Sequence, residues 1–412
     1  MRVALLSLIE AAAGEPQALR GYLPIGGRSI ARHQIGVALA LGCTRVVVLA
    51  DALTGELVSL QHTAEQAGAR FHVIAAQRAL IPLVAPDDEL FVFSDGLLPM
   101  PADALRLLGQ GPVILTQPVE TGLGAGFERI DINDANAGAM CLPGRIVANL
   151  GELPSDWNPV SALLRIAVQG RVPQRRVPPA LVEQGRWRLI RNEAEALRAE
   201  PEWLQLHTVS NHPRSPGEWL AARSIQLVGP ALLHAGTRPY VIGLAALITA
   251  LLGIGLGWFG WITAGFALLG FAWLQVEVAG LLVRIEQASL LAGSSRIPAA
   301  ALARYGLDIA IVALAAWRTE IPAVAGVPVG IAWFAAAVLV LLLHLLPRVL
   351  PDRAWLWYLK DRFLCAGVLA VTSAVLPFDL MVRSYVLGLV IAALVASPAR
   401  PDSSNAELTG PD

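Results

Sequence analysis

The sequence predicts two domains of different class, an α/β, Rossmann-like N-terminal domain and an all-α, six-helix transmembrane domain. Two observations carry this prediction. Short apolar runs alternate with amphipathic stretches up to about residue 230, as in α/β proteins. From Tyr240 to Ala396 the chain is mostly apolar, and the whole sequence is 55% hydrophobic and 15% charged. A typical soluble domain has roughly 25% charged residues.

Composition also limits the function classes. The net charge of −1 gives no electrostatic basis for binding nucleic acid, so no nucleic-acid partner is expected. Cys43, Cys141 and Cys365 lie far apart, which indicates neither a disulfide framework nor a zinc site. The apolar run at residues 3–9 is too short for a signal peptide, so we expect the N-terminal domain to stay in the cytoplasm.

The first domain is predicted to contain a mostly parallel sheet with helices on both faces. Strands are expected at residues 3–9, 45–49, 71–74, 89–93 and 113–115, and helices at 29–41 and 56–67. Ligands of such sheets bind in the crevice at the carboxyl ends of the strands. Amphipathic helices are predicted at residues 193–206 and 219–234, the second lying along the membrane surface.

We place the domain limits from the change in composition. Residues 1–200 form the cytoplasmic domain, and 201–236 a linker with the interfacial helix. Residues 237–398 form the transmembrane domain, and 399–412 a disordered tail.

The loop after the first strand contains Gly14 and Arg20, and a Pro-Ile-Gly-Gly-Arg segment then opens a helix. This pattern resembles the sugar-nucleotide and alcohol-phosphate nucleotidyltransferases, in which the backbone N–H groups of a Gly-rich loop cradle phosphates. The resemblance implies nucleotide binding at Gly14 and Arg20. The chain departs from the pattern at Pro16, where the family has a second glycine, and it lacks the family's lysine. The alternative is an ordinary βα turn.

Asp95 follows the apolar strand at residues 89–93, at the position where this family holds its first metal-binding carboxylate. The alternative is an Asp-Gly turn without a ligand. The family's second metal carboxylate comes from a Trp-x-Asp-Val-Asp segment, and the matching stretch here begins at Trp187. Leu189 and Arg191 replace its aspartates. One carboxylate facing an arginine is a poor Mg²⁺ site, because Mg²⁺ prefers oxygen ligands.

A polar stretch between these motifs contains Glu128, Arg129, Asp131 and Asp134. These side chains could line a sugar-phosphate pocket or form the solvated face of a strand and turn. Turn chemistry favours the solvated face, because Asp- and Asn-rich turns need no ligand to explain them.

Six transmembrane spans are predicted, each near the roughly 20 residues that a bilayer requires. They cover residues 240–259, 261–283, 306–321, 327–346, 363–378 and 380–396. Arginines concentrate before the first span and in the loops after the second and fourth. The positive-inside rule therefore predicts a multi-pass protein of the inner (cytoplasmic) membrane, with the N-terminal domain and the 284–304 loop on the cytoplasmic side.

The second span ends in Ala-Gly-x-x-Val-Arg, with Gly280 and Arg284, and Gly293 follows. This spacing resembles the signature of the CDP-alcohol phosphatidyltransferases, and it implies substrate binding by Gly280, Arg284 and Gly293. Four aspartates in that family hold divalent metal ions, which stabilise the pyrophosphate of the donor.

In this chain most of those aspartates are replaced. Val276 and Ala279 stand at the first two positions, Asp308 takes the third and Val312 the fourth. The candidate metal ligands are therefore Asp308 and two displaced acids, Glu277 and Glu286, with Mg²⁺ or Mn²⁺ as the implied cofactor.

The combined architecture resembles the bifunctional inositol-phosphate cytidylyltransferase/phosphoinositol synthase family of polar-headgroup phospholipid synthesis. Two hypotheses follow. The first is a catalytically degenerate relative that binds a membrane lipid, a nucleotide or a CDP-alcohol, or that serves as a scaffold for an active enzyme. The second is a divergent phospho-alcohol transferase that uses the displaced acids. No catalytic residue is assigned, and a homodimer through the membrane domain is a further expectation.

Overall fold

The computed structural model describes residues 1–154, 157–208, 215–234, 239–290, 299–317, 331–349, 358, 361–375 and 378–396. The chain divides into two compact units. The first comprises residues 1–210, 225–237 and 282–295, and the second comprises 211–224, 238–281 and 296–412. Gly293 and the predicted tail at 399–412 lie outside the described residues.

The first unit contains the strands and most of the short helices. Its strands are β1 (Arg2–Ser7), β2 (Ala11–Ala12), β3 (Glu15–Leu19), β4 (Pro24–Ile25), β5 (Arg28–Ser29), β6 (Arg45–Leu49), β7 (Arg70–Ile74), β8 (Glu89–Phe93), β9 (Leu97–Pro99), β10 (Val113–Pro118), β11 (Asp134–Pro143), β12 (Gln174–Arg176) and β13 (Trp187–Leu189). Its helices are α1 (Ile30–Ala40), α2 (Gly55–Gln66), α3 (Pro101–Leu108), α4 (Val119–Ala125), α5 (Pro159–Gln169), α6 (Pro179–Glu183) and α7 (Glu193–Thr208). Helix α8 (Pro216–His234) contributes residues to both units.

The main sheet has seven strands in the order β12-β10-β11-β8-β1-β6-β7. β1 is an internal strand of this sheet and pairs in parallel with β6 and β8. The predicted α/β class is confirmed, with one correction: the sheet is mixed, because β11 runs antiparallel to both β8 and β10.

Both faces of this sheet are covered, as predicted. Alternate β1 residues point to opposite sides, as a strand requires. Leu6 packs in a cluster with Ile35 of α1 and Leu60 of α2. Leu5 belongs to a second cluster that includes Leu163 of α5. The carboxyl ends of β1 and β8 are left between these two layers.

The second unit is helical. Its helices are α9 (Pro239–Trp258), α10 (Ile262–Leu290), α11 (Ala299–Trp317), α12 (Ile331–Val349), α13 (Arg362–Ser373) and α14 (Phe378–Ala396). Helix α10 also contributes its last residues to the first unit. Each predicted span overlaps one of these helices, and residues 318–321, 327–330 and 376–377 of the spans lie outside the described residues.

The structure does not support six membrane spans. Among the described residues, only Tyr240–Trp258 and Ile262–Gln287 are long and apolar enough to cross a membrane, with mean hydropathies of 2.2 and 1.9. The apolar stretches Phe334–Leu346, Arg362–Ser373 and Val382–Val395 are shorter. The twelve residues of α13 span about 18 Å, less than the roughly 30 Å of a hydrocarbon core. In α11, Arg304 and Asp308 interrupt the apolar sequence.

Candidate functional site

A solvent-open pocket lies at the carboxyl ends of β1 and β8, where the sequence predicts a ligand-binding crevice. Ser7 and Glu10 come from the end of β1 and the loop after it, and Ser94 and Asp95 follow β8. The remaining walls come from the segment after α4, from β11, from the start of α5 and from β13.

Asp95 is the most buried acidic side chain of this pocket, with 3% of its surface exposed. Its Oδ2 accepts hydrogen bonds from Ser7 Oγ at 2.7 Å and from the backbone N–H groups of Glu10 at 3.2 Å and Ile9 at 3.4 Å. Its Oδ1 is buried without a hydrogen-bond partner among the described residues. Burial raises the pKa of Asp95 to about 7, and the nearby Glu10 carboxylate adds to the increase, while the Ser7 hydroxyl opposes it.

The loop after β1 folds as a β2–β3 hairpin, so the two predicted nucleotide-binding residues separate. Gly14, at φ 89°, occupies the exposed turn and is not part of the pocket. Arg20 lines the pocket, where its Nη1 donates to Glu10 Oε2 at 2.5 Å and its Nε donates to the Ala11 carbonyl at 3.1 Å. The structure therefore brings together Arg20 and Asp95, which were predicted from separate motifs.

Leu189 also lines the pocket, at the position where the resemblance expects a metal-binding aspartate. The backbone N–H of Ile190 donates to the Gly96 carbonyl at 2.9 Å, which fixes the end of β13 beside the Asp95–Gly96 turn. Arg191 instead pairs with Glu195 through Nη2 at 2.6 Å. An aliphatic side chain beside one carboxylate does not fit a Mg²⁺ or Mn²⁺ ion, which needs several oxygen ligands.

Only one of the four acidic and basic residues of the polar stretch lies in the pocket. Glu128 lines it and accepts a hydrogen bond from Ser161 Oγ at 2.8 Å. Arg129 Nε donates to the Asp131 carbonyl, and Asp131 Oδ1 accepts the backbone N–H groups of the turn that follows. Asp134 pairs with Arg176 at 2.8 Å.

The sequence interpretation missed six polar residues of the pocket: Ser7, Glu10, Ser94, Asn136, Asn158 and Ser161. A signal existed for one of them. Asn158 precedes Pro159, a combination typical of a helix start, and its Oδ1 caps α5 by accepting the Val160 N–H at 2.9 Å. Asn136 lies within β11, whose position was not predicted.

The displaced acids of α10 do not form a common site. Glu277 accepts both Arg304 Nε at 3.1 Å and Nη2 at 2.9 Å, and Glu286 pairs with Arg28 at 2.5 Å. The two glutamates are nine residues apart on one helix, which separates them by about 13 Å along the axis and by roughly 180° around it. They cannot ligate one ion together.

Asp308 is engaged by two neighbouring helices. Arg362 Nε of α13 donates to its Oδ1 at 2.6 Å, and His344 Nε2 of α12 lies 2.7 Å from its Oδ2. No group of three or more His, Cys, Asp or Glu residues among the described residues could hold a metal ion. On α10, Gly280 is half-buried and Arg284 is exposed. Their role in substrate binding stays a prediction.

The N-terminal half is similar in structure to UDP-glucose pyrophosphorylase. One such structure, a complex with UDP-glucose, aligns over 50% of this chain and 99% of its own, with 10% identity and a TM-score of 0.37. The enzyme from Acinetobacter baumannii aligns over 50% and 94%, with 12% identity and a TM-score of 0.35. No protein-family model matches the sequence, and no curated protein matches it. The likeness concerns the fold of this half, and no match supports a CDP-alcohol phosphatidyltransferase half.

Proposed function

We propose that this protein is a membrane-associated, non-catalytic relative of the nucleotidyltransferases whose N-terminal unit binds a small polar molecule in the pocket beside Asp95. The observation that carries the proposal is the side chain of Leu189. It lines the same pocket as Asp95, where metal-dependent nucleotidyl transfer would need a second carboxylate.

The neighbouring polar groups support retained binding. An open pocket at the carboxyl ends of the strands is the usual ligand position of this sheet type. Asn158, Ser161 and Glu128 offer hydrogen-bonding groups at its wall. The ligand would come from the classes expected for the fold, which are nucleotides, CDP-alcohols and the alcohols themselves.

The membrane location is part of the proposal. Its support is the pair α9 and α10, together with the arginine distribution. In the most apolar 18-residue window of each helix, 22% of α9 and 50% of α10 is buried inside the protein. The exposed surface of α9 carries Leu244, Leu247 and Leu251 at helical spacing, which suits contact with lipid. The proposed location is the inner (cytoplasmic) membrane, and the positive-inside rule favours an orientation with the N-terminal unit in the cytoplasm.

The test uses the full-length protein in lipid nanodiscs with Mg²⁺ or Mn²⁺. We expect no pyrophosphate release from CTP or UTP with sugar phosphates, and no CMP release from CDP-alcohols. We also expect a ligand of one of the three classes to bind, with the loss of that binding in Asn158→Ala.

Metal-dependent CMP release that disappears in Asp308→Ala would overturn the proposal in favour of the divergent transferase. Absence of binding by nucleotides, CDP-alcohols and free alcohols alike would refute the binding role. Recovery of the protein in the soluble fraction of lysed cells would contradict the membrane location.

A further inference from the structure

The pocket of the N-terminal unit has a composition that indicates which part of a ligand it accepts. We propose that it binds an uncharged polyhydroxylated group, such as a sugar or a cyclic polyol, and that it does not bind the phosphates of a nucleotide. This inference rests on the proposed function, since it names the ligand class of the same pocket.

The first argument concerns the backbone N–H groups that could hold phosphate. Those of Ile9 and Glu10 donate to the carboxylate of Asp95. Further along the loop, the Ala13 N–H donates to the Arg191 carbonyl at 2.8 Å, and the Arg20 N–H donates to the Glu10 carbonyl at 2.9 Å. The protein's own carboxylate and carbonyls thus occupy the donors that a phosphate would need.

The second argument concerns side-chain charge. Arg20 is the one cationic side chain among the described residues that line the pocket, and it pairs with Glu10 at 2.5 Å. Asp95 and Glu128 supply two further carboxyl groups. A polyphosphate would therefore face an excess of negative charge, and no three acidic or histidine side chains among the described residues are grouped so that they could hold a compensating divalent cation.

The third argument concerns the groups that remain available. Glu128 is exposed and accepts one hydrogen bond, from Ser161, so its carboxylate can accept more. Glu10 Oε1 accepts only a long bond of 3.4 Å from Asn158 Nδ2. Carboxylate acceptors match hydroxyl donors, and charge-assisted hydrogen bonds of this kind are strong.

The apolar part of the pocket fits the same ligand class. Phe127, Val160 and Leu189 contribute carbon surface next to the polar wall. A sugar or cyclic polyol has both hydroxyl groups and C–H faces, so it can use the two kinds of surface together. A phosphate group has no C–H face to place against the apolar surface.

The experiment measures ligand binding to the full-length protein in nanodiscs by saturation-transfer NMR and calorimetry. The probes are myo-inositol, glucose, CTP with Mg²⁺, and CDP-glycerol. We compare the wild type with Glu128→Gln and with Glu183→Gln, an exposed α6 residue outside the pocket that serves as the matched control. We expect a polyol to bind, with about tenfold weaker affinity in Glu128→Gln and no change in Glu183→Gln.

The outcomes separate the two proposals. If CTP or CDP-glycerol binds in the pocket and neither polyol does, the ligand-class inference is overturned while the binding role stands. If a polyol binds equally well to wild type and Glu128→Gln, the ligand's hydroxyl groups do not donate to Glu128, and the inferred binding mode is wrong. If none of the four probes binds, the binding role itself fails.

Discussion

Asp95 is held in place by three donors on one oxygen, while the other oxygen is buried beside Gly21 and has no hydrogen-bond partner in the part of the chain that the structure describes. A Cβ added at Gly21 would lie 3.5 Å from Asp95 Oδ1 and 2.1 Å from Leu8 Cδ2, so only glycine allows the chain to pass here. Hydrogen bonds therefore fix Oδ2, and the close packing of Gly21 limits the space around Oδ1. Its unusual titration follows from that burial and has a measurable consequence for stability.

We expect the stability of the N-terminal unit to fall as pH rises from about 4 to about 7. The folded-state pKa of Asp95, about 7, lies above its ordinary value of 3.8, so the folded state binds a proton that the unfolded state has lost in this range. The integrated effect is on the order of 4 kcal/mol. In Asp95→Asn this dependence disappears, so thermal unfolding between pH 4 and pH 8 should favour the variant increasingly over the wild type. Parallel pH profiles for the two proteins would contradict the assignment.

Leu189 offers a second test at this scale. Leu189→Asp should place a carboxylate in the pocket of Asp95 and create a Mn²⁺ site, because two carboxylates with water ligands satisfy a hard cation. We expect Mn²⁺ binding by electron paramagnetic resonance to be at least about tenfold tighter than in the wild type. Leu189→Asn, of similar size but uncharged, is the control. Equal Mn²⁺ affinity in all three proteins would show that the two positions do not share a site.

At the level of single elements, β1, β6, β7, β8 and β10 follow from their sequences, and β11 does not. The strands at residues 45–49 and 89–93 were predicted at their observed bounds, because continuous Val, Leu and Phe runs are typical of buried strands. In β11, the Asp-Ala-Asn-Ala-Gly-Ala sequence lacks β-branched residues. Gly138 adopts φ 81° there, against the Phe127 ring, so tertiary contacts determine the strand.

Asp361 links two helix starts in the second unit. Its Oδ1 accepts the N–H groups of Phe363 and Leu364 at the start of α13, and its Oδ2 accepts the Gly217 N–H of α8 at 2.5 Å. We expect Asp361→Ala to lower the stability by about 2 kcal/mol, since it removes a cap and leaves a buried donor without a partner. Asp361→Asn, which keeps acceptor capacity, should lose less. Thermal unfolding in detergent measures both, and equal losses would argue against the capping role.

Glycines determine how closely α9 and α10 approach. A Cβ on Gly253 would lie 2.9 Å from the Gly265 carbonyl oxygen, whereas a Cβ on Gly255 would meet nothing within 4 Å. Gly253→Val should therefore reduce thermal stability in detergent by roughly 2 kcal/mol or more, because the helix backbones must separate. Gly255→Val is the matched control on the same helix and should have little effect. Similar losses in both variants would contradict this packing.

At the scale of the whole molecule, composition predicts an α/β region followed by a helical region. It does not predict the residue at which one ends and the other begins. The predicted boundary at residue 200 falls inside α7. Trp203 lies beyond that boundary and is 6% exposed, with its ring against Gly26 and His33. Periodicity shows an amphipathic helix, but it does not show which surface covers it. Apolar composition likewise does not show whether lipid or other helices cover a helix, so the sequence predicts six spans in the helical half.

The contacts of Trp203 predict the result of truncation. A fragment ending at residue 200 should be markedly less stable than one ending at 208, because burial of a Trp side chain is worth roughly 3–5 kcal/mol. Protease resistance of the two purified fragments measures this difference. Trp203→Ala in the longer fragment should reproduce most of the loss. Equal resistance of the two fragments would mean that α7 does not contribute to the core.

The position of β1 between β8 and β6 has a consequence for synthesis in the cell. β6 ends at Leu49 and β8 at Phe93, so β1 gains its second neighbour only after more than eighty further residues have been translated. At roughly 5–20 residues per second, this takes about 4 to 17 seconds. During that interval the nascent Val-Ala-Leu-Leu segment has an unpaired edge open to aggregation, and chaperones that bind short apolar segments would have time to protect it.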